Sequence, residues 1–345
     1  MAYTDIDDPS AFFNSVLWTG NGVGGTNITG VGFQPDLVWI KRRSAVENHV
    51  WNDAVRGVPK NIYSSLAQAE DSGSLMSAII SDGFTVQTDA SVNVDGSTYV
   101  AWNWKAGTSF TNDASSTSIG SIDSAGSFNN DAGFSIVTYT AGGAAATIKH
   151  GLSSAPKMIF TRRLNGSPNW GVYYGDPTDY LELNTTAATQ DDANMWNDTA
   201  PTSSVFSVGG DNKSSGGGNY VAYCFAEKQG YSKIGSYTGN GNADGPFIYT
   251  GFRPAFIIYK KTSGTGNWGM LDNTRSTSNL TQAWVASNLT NAETNESTRA
   301  LDFLSNGFKA RGTNADLNTN SATYIYMAFA ESPFVTSTGV PTTAR

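Results

Sequence analysis

Three mostly apolar stretches, each closed by a basic pair, stand out in a chain otherwise dominated by Gly, Ser, Thr and Asn. They are Leu37-Val38-Trp39-Ile40 before Lys41-Arg42, Met158-Ile159-Phe160-Thr161 before Arg162-Arg163, and Phe256-Ile257-Ile258-Tyr259 before Lys260-Lys261. Rich in β-branched and aromatic residues, each reads as a strand covered on both faces. A proline, Pro35, Pro156 or Pro254, precedes each one, at a strand start where its missing donor does no harm. Further on, Tyr99–Trp104, Tyr220–Phe225 and Tyr324–Phe329 form a second set of strands, each after a segment holding Phe84, Phe206 or Phe308.

These landmarks recur in one order and in register. An aromatic-Thr-small-x-Gly turn (Trp18 to Gly22, Tyr139 to Gly143, Tyr237 to Gly241) lies 17 residues before the proline in every case. A tryptophan, Trp51, Trp170 or Trp268, follows the proline by 14 to 16 residues. A period of about 100 residues is too long for a solenoid unit. Short strands with Gly-rich turns therefore predict an all-β protein with little helix: three tandem homologous β-sandwich domains, jelly-roll-like. Segments 61–69 and 281–288 occupy matching places as a short helix or an ordered loop.

The boundaries follow from composition. Residues 1–107 are the first sandwich, and the polar stretch 108–118 is a linker. Residues 119–230 are the second, opened by a candidate extra strand at 119–122. Residues 231–335 are the third, joined to the second almost without a linker, and 336–345 is a loose polar tail.

Charge narrows the partners. A net charge of −8 argues against nucleic acid and against an anionic membrane. The single Cys224 excludes an internal disulfide, and the acidic segment Met1–Asp8 does not read as a signal peptide. Synthesis in a cytoplasm is expected.

Candidate chemistry is thin. Gly20-Asn21-Gly22-Val23-Gly24-Gly25 has the spacing of a dinucleotide fingerprint, but poor helix formers follow it, so it reads as a turn. His49 and His150 have no Cys or His neighbours and read as surface or loop residues. Asp191-Asp192 and Glu293 with Glu296 read as solvated loop carboxylates. No catalytic residue, metal site or cofactor is assigned. The basic pairs read as solvating strand edges. One constellation is carried forward as a candidate glycan contact. Trp51, Trp170 and Trp268 offer stacking faces, and Asp53 with Arg56 and Asp272 with Arg275 share one three-residue offset. The plainer reading of the same residues is a core tryptophan beside a loop ion pair.

Val221–Glu227, Gly230–Gly241, Asp244–Phe247 and Thr250–Phe256 resemble a repeated domain of virion proteins from marine tailed bacteriophages, frequent among phages of cyanobacteria. Gly32–Lys41 resembles the opening unit of the same family. The resemblance implies a non-enzymatic structural protein of the virion, of tail-fibre or surface-appendage type, made in the bacterial host cytoplasm. Its partners would be other virion proteins and a host surface glycan, with a homotrimer as the expected assembly. A capsid decoration protein and a polysaccharide depolymerase are the alternatives.

Overall fold

Alternation along the strands decides the architecture. In Leu37–Arg42, Met158–Arg163 and Phe252–Lys261 both faces are apolar, and five residues or more in each are buried. Such a strand must sit mid-sheet with cover above and below. A computed structural model, describing residues 4–342, shows how that cover is supplied.

The protein is all-β, with three short α-helices among the described residues. It contains one five-stranded and two six-stranded antiparallel sheets, each paired with a smaller sheet of two or three strands. Unit I, the first of three sheet pairs, orders its large sheet as Phe13–Thr19, Thr98–Trp104, Leu37–Arg42, Val50–Asp53, Ile62–Tyr63. In unit II the run Phe134–Ala141, Gly218–Phe225, Met158–Arg163, Gly171–Tyr173 has that order, and in unit III Ser232–Thr238, Thr323–Pro333, Phe252–Lys261, Gly269–Asp272, Ala283–Ala286 does too. The register agrees as well. Trp39 pairs with Trp102 and Trp51, Phe160 with Tyr223 and Val172, and Ile258 with Met327 and Met270.

Each large sheet packs one face on its own small sheet. In unit I Val16, Ile40 and Tyr99 meet Ile28, Phe84 and Val86. In unit II Tyr139, Ile159 and Tyr220 meet Ile148 and Phe206, and in unit III Tyr237, Tyr259 and Tyr326 meet Ile248, Phe303 and Phe308. The opposite faces of all three large sheets converge on a single further core. There Trp39, Trp51, Trp102 and Trp104 lie among Phe160, Trp170, Tyr223, Phe225, Phe256, Trp268 and Phe329. Edge-to-face pairs such as Trp104 with Phe225 (6.2 Å) and with Phe329 (5.6 Å) cross from unit to unit.

Several local expectations change. Segments 61–69 and 281–288 are not helices: Ile62–Tyr63 and Ala283–Ala286 extend the large sheets at their edges. Sheet pairing overrides a weak local preference there. The expected linker is ordered, since Thr108–Asn112 is a strand paired with Ser124–Asn129 at the rim of unit II. The extra strand is thus 124–129 and not 119–122. Pro254 lies inside its strand, at a bulge where the ladder needs no donor. The tail from 336 folds back, with the Ser337 backbone N–H donating to Asp7 at 2.6 Å; residues 343–345 fall outside the described range.

The shared core has a consequence for dissection. Residues 231–335 alone would expose Phe256, Trp268, Met327 and Phe329 to water. This fragment is expected to aggregate or show collapsed, non-cooperative unfolding, while the full chain melts in one transition, as read by circular dichroism and calorimetry.

Candidate functional site

The residues expected to face a sugar face other protein. Trp51, Trp170 and Trp268 are at most 1% exposed. Asp53 and Asp272 are fully buried, and the Arg56 and Arg275 side chains nearly so. Arg56 Nε donates to Asp53 Oδ2 at 2.5 Å and its Nη1 to Glu70 at 2.9 Å. Arg275 repeats the arrangement, with Asp272 at 2.5 Å and Glu293 at 3.2 Å. No ring face or hydroxyl-binding fork remains open, so the glycan assignment to these residues is replaced by an inter-unit contact.

That contact runs in one rotational sense. Tyr223 of unit II donates its hydroxyl to Asp53 of unit I at 2.6 Å, and Trp102 of unit I donates Nε1 to Asp272 of unit III at 2.9 Å. In the third junction the donor position is Met327, which cannot donate, and the acceptor position is Tyr174. Tyr174 turns instead to Thr189 and Asp179 within unit II. A buried carboxylate stands where the neighbouring unit supplies a donor and is replaced where it does not.

Register also reassigns a landmark. The residue before Gly171 and Gly269 is tryptophan, and the one before their partner position Val50 is His49. His49, Trp170 and Trp268 all lie 14 residues past their prolines, whereas Trp51 matches Val172 and Met270. Trp170 Nε1 donates to the Tyr63 carbonyl at 2.9 Å and Trp268 Nε1 to the Glu182 carbonyl at 2.8 Å. His49 stands at the same position, where its Nδ1 accepts from Trp39 Nε1 at 3.0 Å and its Nε2 has no hydrogen-bond partner.

The first member of each basic pair does not solvate an edge, while Arg42, Arg163 and Lys261 stay partly exposed. Lys41, Arg162 and Lys260 are fully buried. They donate, respectively, to the carbonyls of Thr290 in unit III, Gln68 in unit I and Thr186 in unit II. The backbone N–H groups of Glu47 and Gly266 share two of those carbonyls. The equivalent residue in unit II is Pro168, which has no N–H, and there the cation is an arginine with donors to spare.

Among the remaining candidates, Asp191 is exposed on a two-residue strand and the others are engaged. Asp192 caps a short helix, Glu293 pairs with Arg43 and Arg275, and Glu296 with Arg299. His49 and His150 are buried rather than exposed. Among the described residues no metal-ligating cluster of three or more side chains forms.

Openings lie elsewhere. A polar groove of about 870 Å³ separates unit I from the strands opening unit II, lined by Lys60, Asp113, Asp123 and Asn219. A second cleft, about 430 Å³, lies in unit III beside its junction with unit II, lined by Glu227, Lys228, Gln229, Lys233, Tyr249 and Phe334. Tyr249 is 61% exposed, Phe247 47% and Phe334 36%. Neither Phe247 nor Tyr249 was singled out as a ligand contact from the sequence. The available signal was that the equivalent pairs, Asn27 with Thr29 and Thr147 with Lys149, are polar.

Two measurements probe this interior. Asp53→Ala leaves Arg56 buried without its main partner and is expected to cost about 3–5 kcal/mol in denaturant unfolding. Burial pushes His150 down to about 4, against the Thr202 carbonyl that accepts from its Nε2. Folded His150 stays neutral while the unfolded chain takes up a proton near 6.5. The unfolded state therefore holds more protons between those values, and stability falls as pH drops through that window, by about 3 kcal/mol at its lower end. His150→Gln should flatten that limb of a stability-versus-pH profile.

No helix of the described residues is long and apolar enough to cross a membrane. Comparison with curated proteins finds no match. Residues 8–333 match a single family, so its span takes in all three sheet pairs and the core they share. The chain belongs to the family described as domain of unknown function (DUF7483).

Proposed function

We propose that the protein is a non-enzymatic structural and recognition module of a tailed-phage virion, of tail-fibre or surface-appendage type, and that its three units are copies of one sandwich. The observation that carries the reading is the closed ring of contacts. Unit I donates to III, III to II and II to I through equivalent cations, and equivalent tryptophans repeat the donation from II to I and from III to II. A heterologous contact that closes after three steps gives a rigid body with near-threefold symmetry.

Rigidity of this kind suits an assembly part. The chain supplies three sandwiches by itself, so the homotrimer expected from sequence loses its physical motive. A capsid decoration protein is the second reading, favoured by the absence of a long helical stem among the described residues. Gold-labelled antibody against the protein should mark phage tails in electron micrographs at low copy number. Labelling of heads at hundreds of copies would favour decoration, and unlabelled particles would remove both. Light scattering of the purified chain should give the monomer mass of 36.6 kDa.

A further inference from the structure

We propose that the cleft around Tyr249 in unit III binds an acidic sugar residue of a polysaccharide. This rests on the recognition role just proposed and places it at residues that the sequence did not mark as ligand contacts.

Three observations converge. Phe247 and Tyr249 point outward from one short strand, two residues apart and therefore on the same face. Units I and II, with Asn27 and Thr29 or Thr147 and Lys149 at these places, show that the fold does not require aromatic rings here. Two large exposed rings add to the risk of association in a chain that has few others. Of the two, Tyr249 lines the cleft, and a ligand seated there covers its ring.

The cleft has the shape and the polar groups for such a ligand. Gly251, at φ +84°, forms part of its wall, and a Cβ there would come within 3.6 Å of Tyr249 Oη. That is ordinary contact distance, so it is the positive φ that favours glycine there. Phe334 is held across from it by its backbone N–H donating to the Gly251 carbonyl at 3.1 Å. A pyranose presents apolar C–H groups to an aromatic face and hydroxyls to polar neighbours, here Gln229 and the Thr250 region.

Charge selects among sugars. Glu227 is neutralised by Lys233 at 3.1 Å and accepts the Ile234 N–H at 2.9 Å. Lys228 has no carboxylate partner among the described residues, so the cleft keeps one free cation on a chain of net charge −8. A carboxylate-bearing sugar such as a uronate complements it.

The test uses the purified full chain, so its outcome is independent of where the protein sits on a particle. Hyaluronan hexasaccharide, which alternates glucuronate with N-acetylglucosamine, is titrated against ¹⁵N-labelled protein, with chitohexaose as the neutral counterpart. Shifts confined to Lys228, Gln229, Tyr249 and Gly251 are expected with the acidic sugar. Tyr249→Ala should weaken binding at least about tenfold, and Lys228→Gln should remove the preference for acidic over neutral sugar. Thr29→Ala, at the equivalent place in unit I, should change nothing. No shifts with hyaluronan hexasaccharide at about 10 mM, unaltered binding by a folded Tyr249→Ala, or an equal response to chitohexaose would each overturn the proposal.

Discussion

The structure turns on one constraint: a β-sheet apolar on both faces, with tryptophan crowded on one of them, cannot leave either face in water. Each fully buried tryptophan removes roughly 200 Å² from solvent, an upper figure of about 5 kcal/mol apiece. The small sheets cover one face of each large sheet but are too narrow to do more. The other three faces find cover only in one another. The three sheet pairs form one body around Trp39, Trp51, Trp102, Trp104, Phe160, Trp170, Tyr223 and Phe256.

Closure of that body brings polar groups inside, where leaving one unpaired is costly. The chain pairs many of them junction by junction rather than by strict repetition, and leaves Trp51 Nε1, Trp104 Nε1 and His49 Nε2 without a partner. Asp53 answers Tyr223 and Asp272 answers Trp102, while Tyr174 stands where Met327 has nothing to donate. Pro168 withholds an N–H and Arg162 makes up the deficit. Differences between units that look like drift in the sequence are thus matched across interfaces. Buried pairs of this kind add little net stability compared with apolar packing, but they penalise any wrong docking of the units. Rotational order around the ring is specified by them.

Surface positions carry no such obligation, and there the units diverge freely. Differences confined to one unit, as at Phe247 and Tyr249, therefore weigh more as signs of recognition than aromatics common to all three. The shared aromatics and ion pairs are what close the body; the unshared ones are what it can present to a partner.

The all-β class, the strand positions and the turns after Trp18, Tyr139 and Tyr237 were legible along the chain, because alternation and Gly-Asn chemistry are local. Which face of a strand meets solvent was not. Leu37–Ile40 reads as doubly covered, yet nothing local says whether the second cover is a sheet of its own unit or a neighbour. For that reason Trp51, Asp53 and Arg56 resembled an exposed binding constellation, and Lys41, Arg162 and Lys260 resembled solvated edges. Residue type also misled: Trp51 goes with Trp170 and Trp268 only in that all three are tryptophan, whereas both the 14-residue spacing from the proline and strand pairing place His49 with them. Local physics determined the elements themselves. Burial, register across strands and the pairing of polar groups between units depend on contacts more than 100 residues apart, such as Asp53 with Tyr223, and only the folded chain decides them.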